Sequence, residues 1–363
     1  MNNINIYILF FILLFLILYF IYFFSINNKF YNEKFINYYK KKHSEKESEN
    51  LDKVIFYPQK LCERTEEYIL PKIIYIYWDN LVEEKDYHKL SEEDRIKNRI
   101  INSHLKTIRR NISKDWKIIL MNKSNVVDYT GEEFVKKYGN LPAYRFSDFL
   151  RIHLLYNKGG CWIDAGIFIV NGKFIDNYYE QTLYYKFDAC LYEYSKRSMY
   201  YNQPHLDNWF MMAPKNSIII GDLYYEFNKA FEMGFLNYKK KVLIPSGVDL
   251  SNTIGYKRRT YLMQHAIIKY LFYTNKQKYK INIKEAEDSM FKIQSVHNWK
   301  KDDVIRFIIT NNKWNDYYAI KLTRHDRKGI NKDNIENYEK RMESFKDLEE
   351  YATINSWNYN NIY

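Results

Sequence analysis

Residues 143–170, AYRFSDFLRIHLLYNKGGCWIDAGIFIV, limit the folds open to this chain more than any other stretch. From 144 to 157, Phe146, Leu150 and Leu154 recur at helical spacing, and Phe149, Ile152 and Leu155 widen the stripe. The spacing predicts a helix buried on most sides. Gly159-Gly160 can take positive φ, which ends a helix and turns the backbone straight into the next element. That element, CWIDAGIFIV (161–170), reads as one apolar strand. A buried helix joined by so short a turn to a buried strand belongs to a layered α/β arrangement.

The flanking segments agree. KIIYIYW (72–78) is a β-branched and aromatic run ended by Asp79-Asn80, a turn signal. SEEDRIKNRIINSHLKTIRRN (91–111) spaces Ile96, Ile100, Leu105 and Ile108 at roughly helical intervals behind a Ser and acidic start, as a capped amphipathic helix does. WKIILM (116–121) reads as the next strand. Strand, helix, strand is the grammar of a mostly parallel mixed sheet with helices on its faces. Further on, FDACLYEY, NWFMMAP and MFKIQSV read as strands, and SIIIGDLYYEFNKAFE and RRTYLMQHAIIKYLFY as helices. DNIENYEKRMESFKDLEEYA reads as a polar helix packed on the outside.

Residues 4–24 form an uncharged apolar run, and about 20 such residues suffice to cross a bilayer. They predict one transmembrane anchor within 1–25, since the basic start and small-residue cut site of a cleaved signal peptide are missing. Residues 26–70 read as a charged stalk, 71–330 as the main domain and 331–363 as a helical extension. Lys29, Lys34 and Lys40 to Lys42 follow the span and would keep the domain in the cytoplasm. The sequons Asn111-Ile-Ser113 and Asn122-Lys-Ser124 would be usable only in a lumen.

Hydrophobic content of 46% with only 11 Gly and 6 Pro excludes a disordered or collagen-like chain. The net charge of +12 is spread over short basic clusters broken by acids and aromatics, so no specific nucleic-acid partner is expected. Cys62, Cys161 and Cys190 are too few for a disulfide framework and match no zinc spacing; Cys161 reads as a small buried hydrophobe.

Asp148 and Arg151, three apart on one side of a buried helix, are costly there unless they pair with each other or serve a ligand. Asp164 lies where α/β folds meet ligands, toward the carboxyl end of a strand. A structural ion pair and a turn cap are the plain alternatives. Taken with PKIIYIYWDN (71–80), LDNWFMMAPKNS (206–217) and AIKLTRHD (319–326), these residues resemble the DXD-type glycosyltransferases. The likeness is to the capsular polysaccharide synthesis branch, akin to glycosyltransferase family 32.

That resemblance implies a GT-A-type domain, a nucleotide-sugar donor, a glycan, lipid or protein acceptor, and a divalent metal, Mn²⁺ or Mg²⁺, on the diphosphate. It further implies catalytic roles for Asp148, Arg151 and Asp164. Trp78 would stack on the nucleotide base, Asp148 would hold a ribose or sugar hydroxyl, and Arg151 would hold the donor sugar or phosphates. Asp164 would face the metal and ribose, Asn208 would lie near the transferred sugar, and His325 would contact the diphosphate or metal. Relatives retain anomeric configuration and work in the Golgi or endoplasmic reticulum lumen. Gly166 stands where the family's metal motif often has its second Asp, and Asp207 or His325 could supply a replacement ligand. Two other readings compete: a non-catalytic, membrane-tethered nucleotide- or carbohydrate-binding protein of the same fold, and a glycoside hydrolase using paired carboxylates.

Overall fold

The parallel pair that opens the fold, strand β1 (Ile73–Tyr77) and strand β2 (Lys117–Met121), is in register from Ile73↔Lys117 to Tyr77↔Met121. Helix α1 (Glu92–Asn111) connects them, and the Ser91 side chain accepts from the Asp94 N–H to cap it. This comes from a computed structural model that describes residues 67–198, 203–254, 260–275 and 278–345. The predicted anchor, 4–24, and most of the predicted stalk lie outside the described residues. Among the described residues no helix is long and apolar enough to cross a membrane.

Helix α2 (Ala143–Lys158) buries the predicted apolar residues and, with them, Arg145, Asp148 and Arg151. It ends at Gly159 (φ +70) and Gly160 (φ +114). A Cβ on Gly160 would stand 2.7 Å from the Ile73 carbonyl oxygen, so the glycine lets strand β3 (Gly160–Ile163) lie against β1. Replacing Gly160 by Ala should therefore cost about 2 kcal/mol or more, seen as a drop of roughly 5 °C or more in melting temperature. An unchanged melting curve would contradict this packing.

The predicted strand 161–170 is in fact two strands. β3 pairs with β1 and with β6 (Leu206–Ala213), whereas β4 (Ile167–Ile169) pairs antiparallel with β8 (Ala319–Lys321) in a separate two-stranded sheet. Asp164 sits in the turn between them: its N–H donates to the Trp209 carbonyl at 2.8 Å, and its own carbonyl accepts from Ile167 N–H at 3.0 Å. Both halves are fully buried, so hydrophobicity alone could not reveal the break.

The rest of the chain adds α3 (Lys173–Tyr184), β5 (Ala189–Glu193), β6 (Leu206–Ala213), α4 (Ile218–Glu232) and α5 (Met263–Thr274). β7 (Ile281–Glu285), α6 (Lys301–Thr310) and α7 (Ile335–Ser344) come next. The main sheet has the order β2-β1-β3-β6-β5-β7. β1/β2, β1/β3 and β5/β7 are parallel, and β3/β6 and β5/β6 antiparallel, which makes the expected mostly parallel mixed sheet. Successive residues of β1 alternate between two cores. Tyr75 and Tyr77 pack with residues of α2, α4 and α5, while Ile74 and Ile76 pack with those of α1 and α3. Cys161 and Cys190 are buried in the second core, as small hydrophobes. A third core gathers β4 and β8 with α6 and α7.

One further strand expectation fails. Within MFKIQSV, Lys292–Val296 is a turn of helix, and the strand of this region is β7, INIKE. A short apolar run does not distinguish helix from strand by itself. β7 hid because polar residues break its apolar run, and these are held inside the protein by donating to one side chain: Asn282 and Lys284 both donate to Gln181. Of the polar outer helix, Ile335–Ser344 is present as α7, seated on α1 through buried Ile335, Tyr338 and Met342, and the part from 346 on lies outside the described residues.

Candidate active site

Three neighbouring strands deliver polar residues to one edge of the main sheet. Trp78 follows the end of β1, and Asp164 follows the end of β3, which runs parallel beside it. β6, antiparallel to β3, starts at that same edge with Asp207 and Asn208. The carboxyl ends of parallel strands are where open α/β sheets bind ligands.

The side chains there form one network. Asp148 Oδ2 accepts from Arg145 Nη1 at 3.0 Å, while Oδ1 lies 3.3 Å from Arg151 Nη1 and accepts from Asn208 Nδ2 at 3.2 Å. Gln264, on α5, donates to the Asp148 carbonyl at 2.9 Å and accepts from Asn208 and Arg151. Arg151 then reaches forward, Nη2 lying 3.3 Å from Asp164 Oδ1, which also accepts from Trp162 Nε1 at 2.9 Å. The other oxygen, Oδ2, is 2.6 Å from Lys321 Nζ. Asp148, Arg151, Asp164 and Asn208, expected from sequence to meet, are thus joined through Arg151 and Gln264.

Burial separates the two carboxyls in character. It pushes Asp148 up, outweighing the nearby Arg151 and Arg145. At Asp164 burial also works upward, but Lys321 and Arg151 overcome it and hold the carboxyl below its ordinary value. Asp164 is the more open of the two, its side chain a quarter exposed against 9% for Asp148.

Trp78 is half-buried, and the Arg327 guanidinium lies 5.7 Å from its ring centroid. His325 occupies the same short helical turn, Arg324–Arg327, but is exposed. Sequence reasoning passed over Arg145, Gln264, Lys321 and Arg327. Lys321 closes the apolar strand β8, opposite Ile167, and only that pairing brings it to Asp164. Two surface depressions, of about 320 and 350 Å³, take in none of these residues.

The implied divalent metal does not fit at Asp164. Both oxygens are engaged by Lys321, Arg151 and Trp162, all donors without a lone pair to give a cation. A Cβ on Gly166 would meet Arg327 Nη1 at 2.7 Å, the Leu322 carbonyl oxygen at 2.9 Å and Lys321 Nζ at 3.2 Å. The one group of three metal-type donors among the described residues is His205, Asp207 and His265, with ligand atoms within 4.8 Å of one another. Asp207 Oδ1 lies 3.3 Å from His265 Nε2. Two imidazoles to one carboxylate suit a Zn²⁺-like cation better than the oxygen-seeking Mg²⁺, and none of the three hydrogen-bonds to Asp164.

His104, on α1, props the Asp164 turn from beneath. Its Nδ1 lies 3.0 Å from the Ala165 carbonyl, which can only accept, so Nδ1 carries the proton and Nε2 accepts from the Tyr338 hydroxyl at 2.6 Å. Burial pushes its pKa down to about 3, against the Ala165 bond and with help from Arg327 and Lys321. An unfolded histidine titrates near 6.5, so below that pH the unfolded chain binds a proton the fold refuses. His104 therefore contributes stability that is present above about 6.5 and is lost as the pH falls toward 3. Between pH 7 and 5 the loss is about 2 kcal/mol. Thermal melts across that range should show His104→Gln flattening the slope; an unaltered slope would contradict the assignment.

No curated protein is detectably related to the chain by sequence. Among solved structures it is similar to the PaToxG glycosyltransferase at 13% identity and a TM-score of 0.31, over 77% of this chain and 88% of that one, a likeness too remote to bear on fold or activity. The sequence profile of the family described as Capsular polysaccharide synthesis protein matches residues 19–238, more than half of the chain, and the chain belongs to that family.

Proposed function

We propose that this protein is a glycosyltransferase with a GT-A-like domain, taking a nucleoside-diphosphate sugar as donor and passing the sugar to a hydroxyl of a glycan, lipid or protein. Membership of a capsular polysaccharide synthesis family supports the reading. The observation that carries it is the charge network at the shared edge of β1, β3 and β6, where Arg151 links a buried carboxylate to one open to solvent. The apolar run 4–24 supports a membrane tether.

In this reading Trp78 offers a face to the nucleobase. Asp148, fixed by Arg145 and Gln264, orients Asn208 toward the sugar. As the bond between the anomeric carbon and the β-phosphate oxygen breaks, negative charge grows on the departing diphosphate, and fixed cations aimed at that charge lower the barrier. The acceptor oxygen bonds to the anomeric carbon, and its proton passes to the departing phosphate oxygen. Asp148 and Asp164 are both tied by cations, so neither is presented as a nucleophile or base. That favours retention on the front face.

Full-length protein in detergent, supplied in turn with UDP-glucose, UDP-galactose, UDP-N-acetylglucosamine and GDP-mannose, should release nucleotide from at least one of them. Release from none would contradict an enzyme. The anomer of the transferred sugar tests retention: an inverted product would contradict it and point to Asp207, whose Oδ2 is buried without a hydrogen-bond partner, as the base.

A further inference from the structure

We infer that the donor's diphosphate is bound without a metal ion, by Lys321, Arg327 and Arg151 gathered around Asp164. The inference rests on the nucleotide-sugar reading above and concerns how that same site holds its ligand.

Three observations converge. The first is steric: Gly166 does more than lack a carboxylate, because the space its side chain would enter is filled by Arg327 Nη1 and Lys321 Nζ. The second is chemical. Lys321 Nζ, at 2.6 Å, already occupies the approach to Asp164 Oδ2 that a metal would use, and an ammonium offers donors only.

The third is charge. Arg145, Arg151, Lys321 and Arg327 face Asp148 and Asp164, and buried Asp326 adds a third carboxylate beside Arg327, so the group keeps a net positive charge. The surplus falls mainly on Arg327. Its Nη1 donates to the Leu322 carbonyl at 2.7 Å, and among the described residues no carboxylate stands within ion-pair distance of it. A guanidinium has five N–H donors in a planar fork that matches phosphate oxygens, so most of its donors remain for a ligand. Its place over the Trp78 ring sets a phosphate-binding cation next to the face proposed for the base.

The test is binding of UDP and of GDP to the full-length protein by calorimetry, first in EDTA and then with Mn²⁺ at millimolar concentration. The expected result is binding of one nucleotide in EDTA, with Kd changed by less than about threefold by Mn²⁺, weakening as salt is raised. Lys321→Ala and Arg327→Ala should each weaken it at least tenfold, Lys321→Arg should restore most of it, and Arg324→Ala, on the exposed side of the same turn, should leave it unchanged. Because the metal comparison is made on the unaltered protein, a variant that fails to fold does not remove the test. Binding that appears only with Mn²⁺, or tightens tenfold with it, overturns the inference while leaving a nucleotide-sugar enzyme standing. If that dependence vanishes in His265→Ala, the ion lies among His205, Asp207 and His265 instead. Binding of neither nucleotide under either condition removes the nucleotide-sugar reading and this inference with it.

Discussion

Asp164→Ala should lower the rate of nucleotide release by about a thousandfold. Removing one preorganised electrostatic contact costs about 10²–10³ in kcat, and a misplacement of roughly 1 Å costs about 10². Asp164 is where both effects meet. One oxygen positions Arg151 and the other positions Lys321, so its loss frees two cations at once. Asp164→Asn should fare little better, because its amide would turn an N–H toward one of the two. The fold should survive: the side chain is a quarter exposed, so water can take over part of its role, and a loss of about 1–3 kcal/mol is expected. Initial rates and circular dichroism on the same samples separate the two effects. Full activity in a folded variant would end the role assigned to Asp164.

The second large effect is on stability and belongs to Asp148. Its side chain is only 9% exposed, and it neutralises Arg145 and Arg151, themselves 4% and 6% exposed. Taking the carboxylate away leaves buried Arg145 without its ion-pair partner and Arg151 with Asp164 alone, and breaking a buried pair costs about 3–5 kcal/mol. In a domain of this size that is roughly 10 °C of melting temperature. Asp148→Asn keeps the shape and an acceptor for Asn208, and since burial already works against the charged form, it should cost less than half as much. A melting temperature for Asp148→Ala within 2 °C of the parent, roughly 1 kcal/mol or less, would show that the arginines find other partners.

Range decides how much of this was legible in the sequence. The local signals could be read: the stripe of α2, the Ser91 cap of α1, the glycine turn and the β-branched and aromatic run of β1 each depend on neighbours a few residues apart. So could the unusual presence of Asp148 and Arg151 in an apolar helix. The break at Asp164 could not, because it is imposed by Trp209 and by the pairing of β4 with β8, and both flanking runs are equally apolar. Lys321 and Asp164 are 157 positions apart, and nothing in either neighbourhood announces the other. Gln264 escaped for the same reason, looking like an ordinary polar residue of a helix until α2 and α5 meet, whereas Arg145 stands three residues before Asp148 on α2, a local spacing that the sequence does carry. His325 was expected from the resemblance of its segment, whereas the neighbour that faces the site is Arg327, two positions on.

The most direct measurement of the central claim is a crystal structure with the nucleotide diphosphate or an unreactive sugar donor bound. The account predicts the base on Trp78 and the diphosphate oxygens within roughly 3 Å of Lys321 Nζ and the Arg327 guanidinium, with Asp164 still holding Arg151. A nucleotide seated elsewhere, with Lys321 and Arg327 untouched, would contradict it.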